Sequence, residues 1–245
     1  MTRVLLFLLC SLATLAPRIA QAQANGTIRL APDNSPMAGV LVTDGNHVVK
    51  TDNTGRFTLP AEDGTRFISI TTPAGFRPTK QFFQRYSGKD TAYDFALEKS
   101  PHPQTEFRFI QIADSELFMP ASQNADRNGG WLDNLKDYVQ ENPTAFVMHT
   151  GDICYDAGLR FHAAEITTET IGTTMLYGIG NHDLVRGNYG EELFEELFGP
   201  VWYSFDAGNV HFVMTPMLSG DHRPSYNSAQ IIRWLKNDRA QIPQG

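Results

Sequence analysis

Three apolar runs in this chain each end in groups able to hold a divalent cation. Phe107 to Ala113 runs into Asp114, Ala145 to His149 into Gly151-Asp152, and Thr174 to Ile179 into Gly180-Asn181-His182-Asp183. Carboxylates and an amide oxygen are hard donors and imidazole is a borderline one, so the set suits cations that accept oxygen and nitrogen ligands. A single Asp at a strand end is more often a turn or helix cap than a ligand. The metal reading therefore needs the three ends to meet.

The elements around them allow that meeting. Each run has strand composition, and the interval between successive ends is close to the roughly thirty residues of a βαβ unit. Between the first two, Trp131, Leu135, Tyr138 and Val139 recur at helical spacing, and Leu159 to Thr170 is weakly helical. Alternating strands and helices predict a largely parallel sheet, and ligands of such sheets collect beyond the carboxyl ends of the strands. Further on, Glu191 to Phe198 reads as a helix with Glu191, Glu192, Glu195 and Glu196 on a solvated face. Tyr203 to Phe205 and Val210 to Thr215 flank the hairpin signal Gly208-Asn209. Ser228 to Ala240 reads as an amphipathic helix with Ile231, Ile232, Trp234 and Leu235 inward. His149 reads as a satisfied strand histidine, Cys154 as a buried thiol, and His211 as structural. Asp156 is either a helix cap or an acid behind the site, and Trp131, Trp202 and Trp234 read as packing.

The first half is organised differently. Arg3 followed by the apolar Val4 to Leu15 and by Ala20-Gln21-Ala22 has the form of a signal peptide over residues 1–22, which implies a periplasmic or secreted protein. Cys10 would leave with it, and the single remaining Cys154 cannot form an internal disulfide. No later stretch is long and apolar enough to span a membrane. From about 25 to 98, short runs (Gly39 to Val42, His47 to Val49, Arg56 to Leu59, Phe67 to Ile70) are separated by Asp-, Asn- and Gly-rich turns, which predicts a small β-sandwich. Pro101 and Pro103 mark a linker over 99–106, and 107–245 forms the second domain. With 41% hydrophobic residues the 245-residue chain is globular, and its net charge of −7 gives no support to a nucleic-acid surface.

The segment GVLVTDGNHVVKTDNTGRFTL followed by ISITTPAGF resembles transthyretin-like or carboxypeptidase-regulatory-like domains, which are usually accessory. FIQIADSE, HTGDICYD and GIGNHD resemble the first three motifs of the calcineurin-like metallophosphoesterases. Independent caps rarely reproduce three ordered motifs. The implied fold class is α/β (α+β overall): a small N-terminal β-sandwich followed by an incomplete metallophosphoesterase α/β sandwich. The resemblance implies two divalent ions (Mn, Fe, Zn or Mg), with Asp114 on the first, Asp152 bridging both and Asn181 on the second. His182 would face the leaving oxygen of the substrate, and Asp183 would fix its ring by a hydrogen bond. The two ions would polarise a phosphoryl group and activate a shared water for in-line attack.

Two departures qualify that expectation. Glu116 stands where the family usually has His; as a ligand it would favour manganese or magnesium over zinc, and as a non-ligand it would leave the first ion short of a donor. The histidines of two later family segments do not appear before Gly245. The chain thus reads as a truncated product with weak or absent activity, in which His222 is the one late histidine placed to reach the site. The expected partner is a phosphorylated small molecule or lipid. The competing expectation is a non-catalytic extracytoplasmic binding module on a degenerate phosphoesterase scaffold.

Overall fold

A strand that buries both faces needs apolar layers on both sides, and β11 (Thr144–His149) meets that demand by alternation. Phe146 and Met148 point into one cluster with Leu176, Phe205 and Met214. Val147 points into another with Leu135, Ile166 and Ile171. β10 (Arg108–Ile112) and β12 (Thr174–Tyr177) flank it, both pairings parallel, in the order β10-β11-β12. Helices α1 (Ala125–Glu141) and α3 (Thr168–Ile171) cover one face. The antiparallel hairpin of β13 (Tyr203–Ala207) and β14 (Val210–Met214) covers the other. The class is mixed α/β, as the sequence predicts.

The computed structural model describes residues 23–61, 64–88, 91–101, 105–116 and 125–243, with the side chains of 125–129 excepted. The signal-peptide expectation for 1–22 lies outside the described residues. Among those described, no helix is long and apolar enough to cross a membrane.

The first part of the chain packs two sheets face to face. One has the order β2 (Ser35–Pro36), β1 (Gln23–Leu30), β9 (Phe95–Lys99), β7 (Phe76–Pro78), with β5 (Arg56–Pro60) also on β1. The other has the order β4 (Val48–Lys50), β3 (Leu41–Thr43), β6 (Phe67–Ile70), β8 (Phe83–Arg85). Ile28, Phe57, Leu59 and Leu97 of the first sheet share one core with Val42, Ile68 and Ile70 of the second.

Three expectations are corrected. The single helix expected over 159–170 is two, α2 (Asp156–Glu165) and α3. Thr167 breaks it by accepting from Thr170 N while the Thr170 hydroxyl accepts from Thr167 N, a reciprocal cap that starts a new helix. In α5 (Ser228–Arg239), Ile232 is 49% exposed and Asp238 is buried in its stead. Asp238 is held there by the hydroxyl of Ser204, 2.9 Å away, and by His211 Nε2 at 2.7 Å. The acidic face of α4 (Glu192–Phe198) is not solvated throughout. Glu191 and Glu195 are 0% and 2% exposed and both meet Arg66, at 3.1 and 2.9 Å.

That Arg66 comes from the β-sandwich, and it is one of several ties between the halves. Asp206 N–H donates to Thr72 O at 2.9 Å, beside a parallel bridge from Thr72 to Phe205. Trp202 Nε1–H donates to Gly45 O at 3.1 Å, and the hydroxyls of Thr71 and Ser204 lie 2.8 Å apart.

Candidate functional site

The three polar strand ends come together because their strands are neighbours in register. Ile112 pairs with His149 and His149 with Tyr177, so the turns after them leave the sheet on one rim. Main-chain bonds then stitch turn to turn. Asp114 N–H donates to Gly151 O at 3.0 Å, and Glu116 N–H to Asp152 O at 3.3 Å. His182 N–H donates to Asp152 Oδ1 at 3.2 Å. Gly151 has φ +114°, and a Cβ on Gly180 would overlap the main-chain N and the carboxylate of Asp152. Both glycines are therefore required by the approach of one turn to the other.

Strain is concentrated here. Among the described residues five non-glycines have positive φ, and four lie on this rim: Asp114 (55°), Glu116 (44°), Asp152 (55°) and Cys154 (48°). The left-handed region costs an L-residue about 1 kcal/mol or more, and such outliers gather at functional sites.

The electrostatics are negative. Glu116, Asp152 and Asp221 all act on Tyr155 and on His182, and Asp183, Glu116 and Asp152 add to the burial that pushes the Cys154 thiol up to about 12. Cys154 is thus a buried, protonated thiol. Among the described residues the side chains of Asp114, Glu116 and Asn181 have no hydrogen-bond or ion-pair partner.

His182 is oriented by a residue that sequence reasoning missed. Its Nδ1 lies 2.9 Å from Asp221 Oδ2, and that hydrogen bond is the main cause raising its pKa above the ordinary histidine value. Asp221 sits in the loop after β14 and is docked there by its own N–H, which donates to Asn181 O at 3.1 Å. A signal was present: Gly220-Asp221 repeats, beyond a strand end, the Gly-Asp pattern of Gly151-Asp152. His222, its neighbour and the late histidine that could have reached the site, is exposed. Tyr155 was missed as well; its ring meets that of His182 edge-on at 6.0 Å between centroids.

Asp183 does not fix the ring of His182, contrary to expectation. It points the other way, fully buried, with Oδ1 accepting from Ile153 N and Cys154 N at 2.8 Å each and Oδ2 from Gly180 N at 2.9 Å. Burial raises its pKa, and the three N–H groups pull it back. Asp183 thus staples the second and third turns together from beneath.

Among the described residues no group of three or more His, Cys, Asp or Glu side chains is gathered closely enough to hold a metal ion. The donors fit a divalent cation in kind: uncommitted oxygens on a strained, negatively charged rim. The rim is open. A groove between the halves lies elsewhere, along Asp44, Arg66, Trp202 and Arg233.

Comparison with known proteins bears on the other half of the chain. Residues 22–100 match a protein-family model described as the N terminal of Calcineurin-like phosphoesterase. No curated protein matches, and no solved structure matches. The family match supports a relationship to the calcineurin-like phosphoesterases through the β-sandwich, independently of the three strand-end motifs.

Proposed function

We propose that the chain is a metal-dependent phosphoesterase of the calcineurin-like kind, acting on a phosphorylated small molecule or lipid outside the cytoplasm. The observation that carries this reading is the rim itself. Three adjacent parallel strands carry Asp114, Asp152 and Asn181-His182 on turns that leave one rim, the first two of them through left-handed residues that the rest of the fold holds under strain. The match of residues 22–100 supports the same family from a different part of the sequence.

On this reading Asp114, Glu116, Asp152 and Asn181 would hold divalent cations. When bound, such ions supply Lewis-acid polarisation of the phosphoryl group and a nucleophilic water at neutral pH. The chain's own residues do the rest. His182, with Nδ1 bonded to Asp221, presents Nε2 to solvent as the proton donor for a departing alkoxide. The Asp221 carboxylate favours the protonated ring over the neutral one, in keeping with a proton donor at this place. Gly180 lets the main chain lie against Asp152 without a side chain intervening, and Asp183 keeps both turns in register from below. The apolar stretch Val4 to Leu15 after Arg3 supports export.

The test is calorimetric titration of the purified chain with Mn²⁺, Zn²⁺ and Fe²⁺. Binding that disappears in Asp152→Ala is the expected result. No heat with any of the three ions would overturn the reading in favour of a non-catalytic binding module.

A further inference from the structure

Behind the rim lies a line of buried polar groups that the chemistry above does not use. His149 on β11 and His162 on α2 are both 0% exposed, with their rings edge-to-face at 5.0 Å between centroids. Between them sits the hydroxyl of Ser115, 3.0 Å from Nε2 of each. The protons along this line can be placed one by one. Gly151 N–H donates to His149 Nδ1 at 3.2 Å, so Nδ1 is the acceptor and His149 carries its proton on Nε2. Ser115 Oγ therefore accepts from His149 and donates to Nε2 of His162. His162 then carries its proton on Nδ1, which faces the Tyr177 hydroxyl at 3.4 Å, and that hydroxyl donates to Ile166 O at 2.6 Å. Every donor on the line has an acceptor. Desolvation disfavours charge on either ring, which agrees with both being neutral.

The line ends on a helix carbonyl, so it does not lead protons to solvent. What it fixes is Ser115, and Ser115 separates Asp114 from Glu116. Those two residues are both left-handed and both exposed, with side chains free of protein partners among the described residues. A hydroxyl clamped inward by two rings leaves its neighbours facing the rim.

We propose that Ser115 is the positioning residue of the candidate metal centre. Clamped by His149 and His162, it holds the 114–116 turn in its strained conformation and so aims Asp114 and Glu116 at the cation. The inference rests on the metal reading above and adds to it a residue that contacts neither metal nor substrate.

The experiment compares the full chain with Ser115→Ala, with Ser115→Thr, which keeps the hydroxyl, and with Asp238→Asn. The last breaks a remote buried hydrogen bond and calibrates loss of stability alone. Mn²⁺ titration is expected to show affinity falling about 10- to 100-fold in Ser115→Ala, largely restored in Ser115→Thr and unchanged in Asp238→Asn. Ring ¹⁵N spectra at neutral pH are expected to show one neutral imidazole protonated on Nε2 and one on Nδ1, a pattern lost in Ser115→Ala. Unchanged Mn²⁺ affinity in a folded Ser115→Ala would overturn the positioning role while leaving the metal site standing. Absence of Mn²⁺ binding in the parent chain would overturn both. Charged rings, or two rings of the same tautomer, would overturn the clamp itself whatever the metal does.

Discussion

A carboxylate that accepts three main-chain N–H groups in a buried place is worth most as an acceptor. Each donor left without a partner costs about 1–3 kcal/mol. Asp183→Ala is therefore expected to destabilise the protein by about 3 kcal/mol or more, since Ile153, Cys154 and Gly180 would all lose their partner. Urea unfolding measures it, and a loss below about 1 kcal/mol would contradict the stapling role. Glu116 presents the opposite case. Its φ of 44° suits glycine better than glutamate, so Glu116→Gly should hold or raise the unfolding midpoint while weakening Mn²⁺ binding. Both changes falling together would show that the turn is not strained as described. These two residues also mark what the motif spelling conveys. Asp114, Asp152, Asn181 and His182 were nominated by residue type and strand-end position, and the fold carries their turns to one rim. The direction of Asp183 was not legible, because a Gly-Asn-His-Asp string does not say which way each side chain turns once the main chain bends.

Among the elements, the β10, β11 and β12 strands and the hairpin were readable from apolar period and turn residues, which act locally. The acidic face of α4 was misjudged because its partner, Arg66, lies 125 positions earlier in the chain. No local pattern distinguishes a solvated glutamate from one awaiting a distant guanidinium. In the fold Arg66 meets Glu191 and Glu195 and donates to the Ser225 hydroxyl at 2.7 Å. Burial still pushes the Glu195 carboxyl up to about 7 against the pull of Arg66. Breaking one side of a buried ion pair costs about 3–5 kcal/mol, because the other side stays buried. Arg66→Ala should lower stability by that order, read as a fall in the urea midpoint. An unchanged midpoint would show that the pair is replaceable by water.

For the molecule as a whole, three histidines give the stability a pH optimum. His149 and His162 are held neutral by burial, their pKa values lowered from 6.5 to about 4 and about 3. The unfolded chain takes up their protons first, so their contribution is complete above about pH 6.5 and drains away as the pH falls toward 4. His211 is the reverse. Asp206 and Asp238, each 2.7 Å away, raise it to about 9, so its contribution is complete below about pH 6.5 and is lost as the pH rises through 9. At about 1.4 kcal/mol per pH unit for each group, His149 and His162 outweigh the buried Glu195, whose raised carboxyl loses stability as the pH climbs toward 7, so the maximum lies near pH 6.5. Urea midpoints measured from pH 5 to 9 test this, and His211→Gln should flatten the alkaline limb only. Stability rising steadily from pH 5 to 9 would refute the opposed shifts.

The joint between the halves is sewn partly through the backbone, at Thr72 and Asp206. A peptide group offers the same N–H and C=O whatever side chain it bears, so this seam is indifferent to spelling. Side chains on either lip can drift without unpicking it. A foreign sandwich grafted in place of the native one should sit correctly provided that its corresponding loop reaches as far.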